Sequence, residues 1–473
     1  MKPMRFVLAL CALALGMAGS TAGSAQPRAV PDSREQIRLS FAPLVRQTTP
    51  AVVNIYTKRV VRERQVSPLL DDPMFRRFFG QPPQGAPRER VQNSLGSGVV
   101  VSADGLVVTN DHVIRGADEI TVVLSDRREF EATVILADPR TDLAVLRIDT
   151  DGDRLPSLEL GDSDTLQVGD LVLAVGNPFG VGQTVTSGIV SAVARTAAGI
   201  GAYDFFIQTD AAINPGNSGG ALVDMGGRLM GINTAIYSRS GGSIGIGFAV
   251  PSNMVRTVVE AARNGGRLVR PWLGAGGQTV TQELAQSLGL PRPAGVLVTS
   301  IEPNSPAAQA GLRRGDVITA VNGREVDDPD ALRYRIATLQ IDAKAVLTVR
   351  RDGRDRELSL SVAPPPEDPP RNVTLLTGRN PLAGARVANL SPALLEEASQ
   401  LNLSVRQGVV VLDVERGSPA ARVGFRPGDV ILRLNGREVR TVRDLGPALG
   451  QQPQAWQIQV RRGEQVLNTT VPG

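Results

Sequence analysis

The chain has 473 residues, too many for one hydrophobic core, and its 42% hydrophobic content is that of a globular protein. The formal net charge of +4 is small, and Lys and Arg are scattered among Asp and Glu, so no basic block exists from which to build a nucleic-acid groove. One histidine and one cysteine exclude multi-histidine and zinc–thiolate metal sites, and no metal or cofactor is expected.

Lys2 and Arg5 precede the apolar run Phe6 to Leu15, and small residues follow through Ala25. This pattern predicts a secretory signal cleaved after Ala25, with Ala22 as the alternative. The run is shorter than the roughly 20 residues a membrane helix needs, and no later segment approaches a span. Cys11 lies inside it, so the mature chain holds no cysteine and no disulfide despite export. After a polar stretch, Phe41 to Thr57 reads as a short helix followed by a strand. Lys58 to Asn93 reads as a long insertion without strand periodicity, Arg-rich and Pro/Gly-rich around Phe75, Phe78 and Phe79. Such a loop is either a contact for another loop or subunit, or a linker.

From Gly96 to Val250 short Val- and Ile-rich runs alternate with turns, among them an Asp104-Gly105 hairpin signal. Strands at this spacing, without intervening helices, predict a mainly β fold, an antiparallel sandwich or a pair of barrels. A helix is expected over Ser252–Asn264, with Ser252 as N-cap and Gly265 as stop. The remaining chain repeats itself: Val298–Val326 recurs without a gap at Val411–Val439. Two copies at domain-sized spacing are a duplicated module and not a solenoid. Each copy reads as a strand, a helix opening at Ser305-Pro306 or Ser418-Pro419, a Gly-Asp-Val-Ile strand, an Asn-Gly turn and a further helix. The Pro-rich Ala363–Pro370 reads as a semi-rigid linker.

The chemistry gathers on Thr209–Leu222 (TDAAINPGNSGGAL). Glycines beside Ser218 allow main-chain N–H groups to converge where a Cβ would obstruct them. The N–H groups of Gly216 and Ser218 could then form an oxyanion hole beside the Ser218 hydroxyl. An ordinary Gly-rich turn between strands has the same composition. A serine hydroxyl needs a base within reach, and His112 in Thr109-Asn110-Asp111-His112-Val113 is the sole imidazole. The imidazole in turn needs an orienting carboxylate: Asp142 opens one strand and Asp138 stands four residues earlier, and either could instead be a surface acid. The order His, Asp, Ser is that of chymotrypsin-type enzymes.

His112 in TNDHV, Asp142 in TDLAV, Ser218 in NPGNSGGAL, the later GIGFAVP and the module pair together resemble the HtrA/Deg-type periplasmic serine endoproteases, over nearly the whole mature chain. The resemblance implies a chymotrypsin-like double β-barrel followed by two PDZ domains (α+β). It implies a signal peptide over 1–25, a protease domain over 26–266 with a regulatory loop at 58–93, PDZ domains over 267–363 and 377–473, and a linker at 364–376. His112, Asp142 and Ser218 would be base, orienting acid and nucleophile. Gly216, Asn217 and Ser218 would form the oxyanion and substrate-binding turn, and Thr234, Ala235, Ile236, Tyr237 and Ser238 the strand that pairs with substrate backbone. Ala212 stands where trypsin-like relatives keep an acid. With Ile213 it implies a pocket for a small or medium aliphatic side chain, and Asp210 is read as structural. Asp111, where related sequences often carry an uncharged residue, is read as facing solvent.

Trp272, Leu273, Gly274 and Ala275 match the first PDZ carboxylate-binding loop, which would receive C-terminal tails. Leu382, Ala383, Gly384 and Ala385 match it more weakly in the second, whose role could be packing between subunits. A periplasmic location and a homotrimer able to form larger cages on unfolded envelope proteins are also implied. With no phosphate-binding loop in the sequence, the leading expectation is an ATP-independent endoprotease for misfolded envelope proteins, with chaperone activity beside it. The alternatives are a PDZ-based chaperone or scaffold with dispensable proteolysis and, less compatible with peptide-binding modules, an esterase.

Overall fold

The computed structural model describes residues 40–63, 88–177, 182–195, 205–214, 216–236, 243–398, 403, 405–451 and 453–473. The expected signal peptide, the Phe-bearing part of the insertion, and Tyr237 and Ser238 fall outside these residues. The strand-length runs from Val52 close into a barrel of order β1-β2-β3-β6-β5-β4. Its strands are β1 (Val52–Glu63), β2 (Arg88–Ser102), β3 (Leu106–Thr109), β4 (Glu119–Val123), β5 (Glu129–Asp138) and β6 (Leu143–Ile148). A helix, Ala42–Thr48, precedes β1, as the sequence predicts. The expected hairpin joins β2 to β3: Gly105 takes φ 91°, and its N–H donates to the Ser102 carbonyl at 3.1 Å.

The 58–93 insertion differs from expectation at its two ends. β1 and β2 stay paired from Lys58↔Asn93 out to Glu63↔Arg88, so they project as a two-stranded ribbon. Charged residues are frequent in both stretches of sequence, which hides the period-2 signal, but backbone pairing does not need an apolar face.

The second barrel has the order β10-β11-β12-β9-β8-β7. It is built of β7 (Leu171–Gly176), β8 (Thr184–Arg195), β9 (Phe206–Thr209), β10 (Ala221–Asp224), β11 (Leu229–Ile236) and β12 (Gly247–Pro251). The helix that follows, Ser252–Arg263, buries Met254, Val255, Val258, Val259 and Ala262, the i, i+1, i+4, i+5, i+8 stripe of an amphipathic helix. Its N-cap is Pro251 rather than Ser252. Ser252 is buried, and its hydroxyl donates to the Gly161 carbonyl at 2.9 Å, so it is spent on a tertiary bond. Gly265 ends the helix at φ 95°.

Each repeat forms its own sheet. The first has β13 (Ala275–Thr279), β14 (Val296–Ile301), β15 (Val317–Val321), β16 (Arg324–Glu325), β17 (Lys344–Arg351) and β18 (Arg354–Ser361). The second has β19 (Thr374–Leu375), β20 (Ala385–Asn389), β21 (Val409–Val414), β22 (Val430–Leu434), β23 (Arg437–Glu438), β24 (Ala455–Arg462) and β25 (Gln465–Pro472). Ser305 and Ser418 cap their helices as expected, each Oγ accepting from the N–H of Ala308 or Ala421 at 3.1 Å.

Leu44–Gly473 form one unit, and specific contacts tie the barrels to the modules. Phe205, at the foot of β9, stacks on Tyr334 of the helix Pro329–Ala337 at 3.7 Å, with Arg335 over its ring. Arg270, just before the first module, pairs with Asp138 at the end of β5. Arg140 donates to the carbonyl of Glu396 in the second module.

Candidate active site

β3 delivers the buried Thr109 and Asn110 to the start of a one-turn helix, Asp111–Ile114. β6 pairs with β3, so the turn before β6 lies against that helix. There Asp142 takes φ 54°, the left-handed region, and its carbonyl accepts from Asn110 Nδ2 at 2.8 Å and from the Asp111 N–H at 3.2 Å. Its carboxylate faces His112: Oδ1 accepts from the His112 N–H at 3.0 Å, and Oδ2 lies 2.7 Å from Nδ1. A carboxylate only accepts, so Nδ1 carries the proton and Nε2 is left free to take one. Oδ2 also accepts from the Thr234 hydroxyl at 2.6 Å.

Burial pushes the Asp142 pKa up, but the hydrogen bond and charge of His112, the Thr234 hydroxyl and the His112 N–H outweigh it. The carboxyl is held below its ordinary range, and at neutral pH the imidazole faces an anion.

The choice between the two acids is resolved by their partners. Asp138 is spent on Arg270 and the Thr141 hydroxyl, while Asp142 holds His112. Asp111 does not face solvent as expected. It is 4% exposed, with Arg115 one turn on donating Nε at 2.9 Å and a second guanidinium bond to it. An i,i+4 arginine covers and neutralises the carboxylate beside the imidazole. Asp210 is structural, as read: Oδ1 accepts from the Ile189 N–H at 2.7 Å.

Ser218 precedes β10 on a turn that only glycines can make. Gly216 and Gly219 take φ 99° and 84°, and a Cβ on Gly219 would stand 2.0 Å from the Ser97 carbonyl. Ser97, on β2 of the other barrel, clamps this turn. Its N–H donates to the Ser218 carbonyl at 2.9 Å, and its Oγ donates to the Gly216 carbonyl at 2.6 Å. Asn217 is buried against Gly176, inside the turn. The Ser218 Oγ donates to the Thr234 carbonyl at 3.1 Å, and among the described residues no hydrogen bond joins it to His112. Thr234 therefore touches both the carboxylate and the serine.

β11 pairs with β10 only as far as Ile232, while Ala235 and Ile236 pair with Phe248 and Gly247 of β12 on the other side. The Thr234–Ile236 stretch thus ends one flank of the second barrel beside Ser218. Ala212 is half-buried, with its carbonyl accepting from Thr186 at 2.9 Å. Ile213 is 1% exposed in the second barrel's core, packed where a Cβ on Gly247 would be. In the first module Trp272 donates its N–H to the Ala363 carbonyl at 2.9 Å. Leu273, Gly274 and Ala275 line a cavity of about 230 Å³ between β13 and the Pro329–Ala337 helix.

Sequence reasoning missed the Thr234 hydroxyl, Ser97 and Asn110. Each acts through a contact distant in sequence, and Ser and Thr in strands carry no mark that distinguishes such partners.

A trypsin-like peptidase domain model matches residues 96–232, and a PDZ domain model matches 242–362 and 382–472. The chain is 42% identical over 444 residues to a probable periplasmic serine endoprotease DegP-like of Pseudomonas putida (strain W619), covering 90% of this chain and 89% of that one. It is 37% identical over 488 residues to the periplasmic serine endoprotease DegP of Escherichia coli (strain K12), covering 99% of both. Among solved structures, the HtrA-type protease AlgW with decapeptide is similar at 47% identity and TM-score 0.51, covering 69% of this chain and 99% of that one.

Proposed function

Because the chain belongs to the HtrA-type, DegP-like serine endoproteases, we propose that it degrades misfolded envelope proteins in the periplasm without ATP, through a His112–Asp142–Ser218 triad. One observation carries this reading: the only imidazole in the chain is held at 2.7 Å by Asp142, whose other neighbour, Thr234, also holds the Ser218 hydroxyl.

Ser218 Oγ turns from the Thr234 carbonyl toward His112 Nε2, gives up its proton there, and attacks the scissile carbonyl carbon. The new oxyanion is met by the N–H groups of Gly216 and Ser218. The imidazolium, steadied by ionised Asp142, passes the proton to the leaving amine, and an ester remains on Ser218. Water, deprotonated by the same Nε2, hydrolyses that ester and restores the serine. Substrate backbone adds along Thr234–Ile236. Ala212, backed by Ile213, favours a small or medium aliphatic side chain before the cut. Trp272, Leu273, Gly274 and Ala275 receive the C-terminal tail of an unfolded chain, and the working form is a homotrimer able to assemble further. The decapeptide in the AlgW structure supports peptide as the ligand class.

The test compares cleavage of denatured casein by the purified chain and by Ser218→Ala. Degradation by the former alone is expected, and equal cleavage by both overturns the reading.

A further inference from the structure

The two modules repeat a stretch of sequence and share a fold, and several backbone bonds of their loops correspond. Gly274 and Gly384 take φ 72° and 87°, and a Cβ on either would meet the Cβ of Ser305 or Ser418 at 2.2 Å. The Gly274 carbonyl accepts from Glu302 at 2.8 Å and the Gly384 carbonyl from Glu415 at 2.9 Å. Leu273 accepts from Ala307 and Ala383 from Ala420 in the same way. What lies beside these loops differs. In the first module β13 ends the sheet, and a cavity opens between it and the Pro329–Ala337 helix, walled by Leu273, Val296, Leu332 and Ile336. No backbone carbonyl among the described residues takes the Gly274 N–H. In the second module β20 is not the end of its sheet. β19 covers its edge, antiparallel, with Thr374 opposite Val387 and Leu375 opposite Arg386.

The residue after β19 completes the contrast. Leu376 donates its N–H to the Ala385 carbonyl at 2.9 Å, and its own carbonyl accepts from the Gly384 N–H at 2.8 Å. Its side chain is 6% exposed, in one core cluster with Leu382, Val442 and Leu445, while Leu375 points outward. An antiparallel strand, an apolar last side chain buried in one cluster with residues of the helix Val442–Leu449, and an oxygen on the loop N–H are the features by which a sheet edge holds a C-terminal peptide. We propose that Val373–Leu376 is a built-in ligand of the second module, so that its groove is filled by the chain itself and only the first module is open to tails. The segment that reads as linker in the sequence is therefore a stand-in for a peptide ending in Thr-Leu-Leu. Its peptide carbonyl sits where a terminal carboxylate oxygen would accept.

The proposal rests on the reading of the first module as a tail-binding site, and the experiment separates the two. Amide hydrogen exchange is measured on the full Ser218→Ala chain, with and without a peptide ending in Val-Thr-Leu-Leu and a free carboxylate. Without peptide, the Leu376 and Gly384 amides are expected to exchange at least about tenfold more slowly than Gly274, because hydrogen-bonded amides wait for local opening. With peptide, exchange slows at Gly274 and along β13 and is unchanged at Gly384. Equal exchange at Gly384 and Gly274 before peptide, or peptide protection at Gly384, overturns the proposal. Absence of protection at Gly274 with Gly384 still slow overturns only the tail-binding reading. In Leu376→Asp, the peptide-to-chain ratio by calorimetry is expected to rise from one to two. A ratio that stays at one while Gly384 becomes fast-exchanging contradicts the built-in ligand.

Discussion

The two barrels contribute unequal halves to the site. The first holds a finished pair: His112, on the one-turn helix after β3, and Asp142, in the turn before β6, sit 2.7 Å apart, with the Asn110 side-chain amide and the Asp111 and His112 N–H groups donating to Asp142. The second holds Ser218, whose hydroxyl is bonded to the Thr234 carbonyl of its own barrel. The difference lies in what must move. Breaking the first half means disturbing elements tied by paired strands, whereas re-aiming the second means breaking the Ser218 Oγ bond to the Thr234 carbonyl. On the roles proposed above, such a site would keep its base and acid in register while its nucleophile turns.

The severest way to test that division is to remove each half. Ser218→Ala and His112→Ala are each expected to lower kcat by about six orders of magnitude, and the double variant no further, since residues acting as a unit are not additive. Steady-state cleavage of an unfolded protein reads this out. Additive losses would mean that the halves act separately. Asp142→Asn is expected to cost about 10⁴ in kcat, because the amide favours the wrong imidazole tautomer, while leaving the fold intact by circular dichroism.

Arg270→Ala tests the fastening of the first barrel's loop to the modules. Arg270 and Asp138 side chains are 11% and 7% exposed, so removing the cation leaves a buried carboxylate that has lost its Arg270 partner and keeps the Thr141 hydroxyl and the Arg140 N–H. A loss of roughly 3–5 kcal/mol in unfolding free energy is expected from denaturant titration. Thr234→Val keeps the carbonyl that holds Ser218 and deletes the hydroxyl on Asp142. The expected loss in kcat is about 10- to 100-fold, since a hydrogen bond to a charged group contributes about 1.5–3 kcal/mol.

The smallest effect is the pH dependence of stability. The folded pKa of Asp142 lies below its ordinary 3.8, so ionised Asp142 contributes stability that is present above about that pH. It is lost as pH falls through the lower folded value. An acid titration of unfolding free energy should therefore be shallower in Asp142→Asn than in the unaltered chain.

Most of this architecture was legible because its signals are local. Short β-runs and the Asp104-Gly105 turn announced the barrels, and the Val298–Val326 repeat announced the modules, down to the caps at Ser305 and Ser418. The triad candidates were legible by scarcity, since one imidazole admits one base. The choice of Asp142 over Asp138 was legible only through the resemblance of TDLAV to the family motif and not through spacing, because both sit beside the same turn and their partners, Arg270 among them, lie far along the chain. Ser252 misled for a similar reason: a good capping residue met a better acceptor at Gly161. Asp111 looked exposed because its partner, Arg115, follows a helix of one turn, too short to show a period. The strand at Thr374–Leu375 was hidden by the prolines before it, which mark a linker in sequence but do not prevent the next residues from pairing with an edge.

The most direct test of the account is reaction of the chain with a serine-directed fluorophosphonate, followed by peptide mapping. In a preparation that cleaves unfolded protein, the account predicts one adduct per chain, on Ser218, that disappears in His112→Ala. An active preparation unlabelled at Ser218, or labelling there that persists without His112, would contradict it.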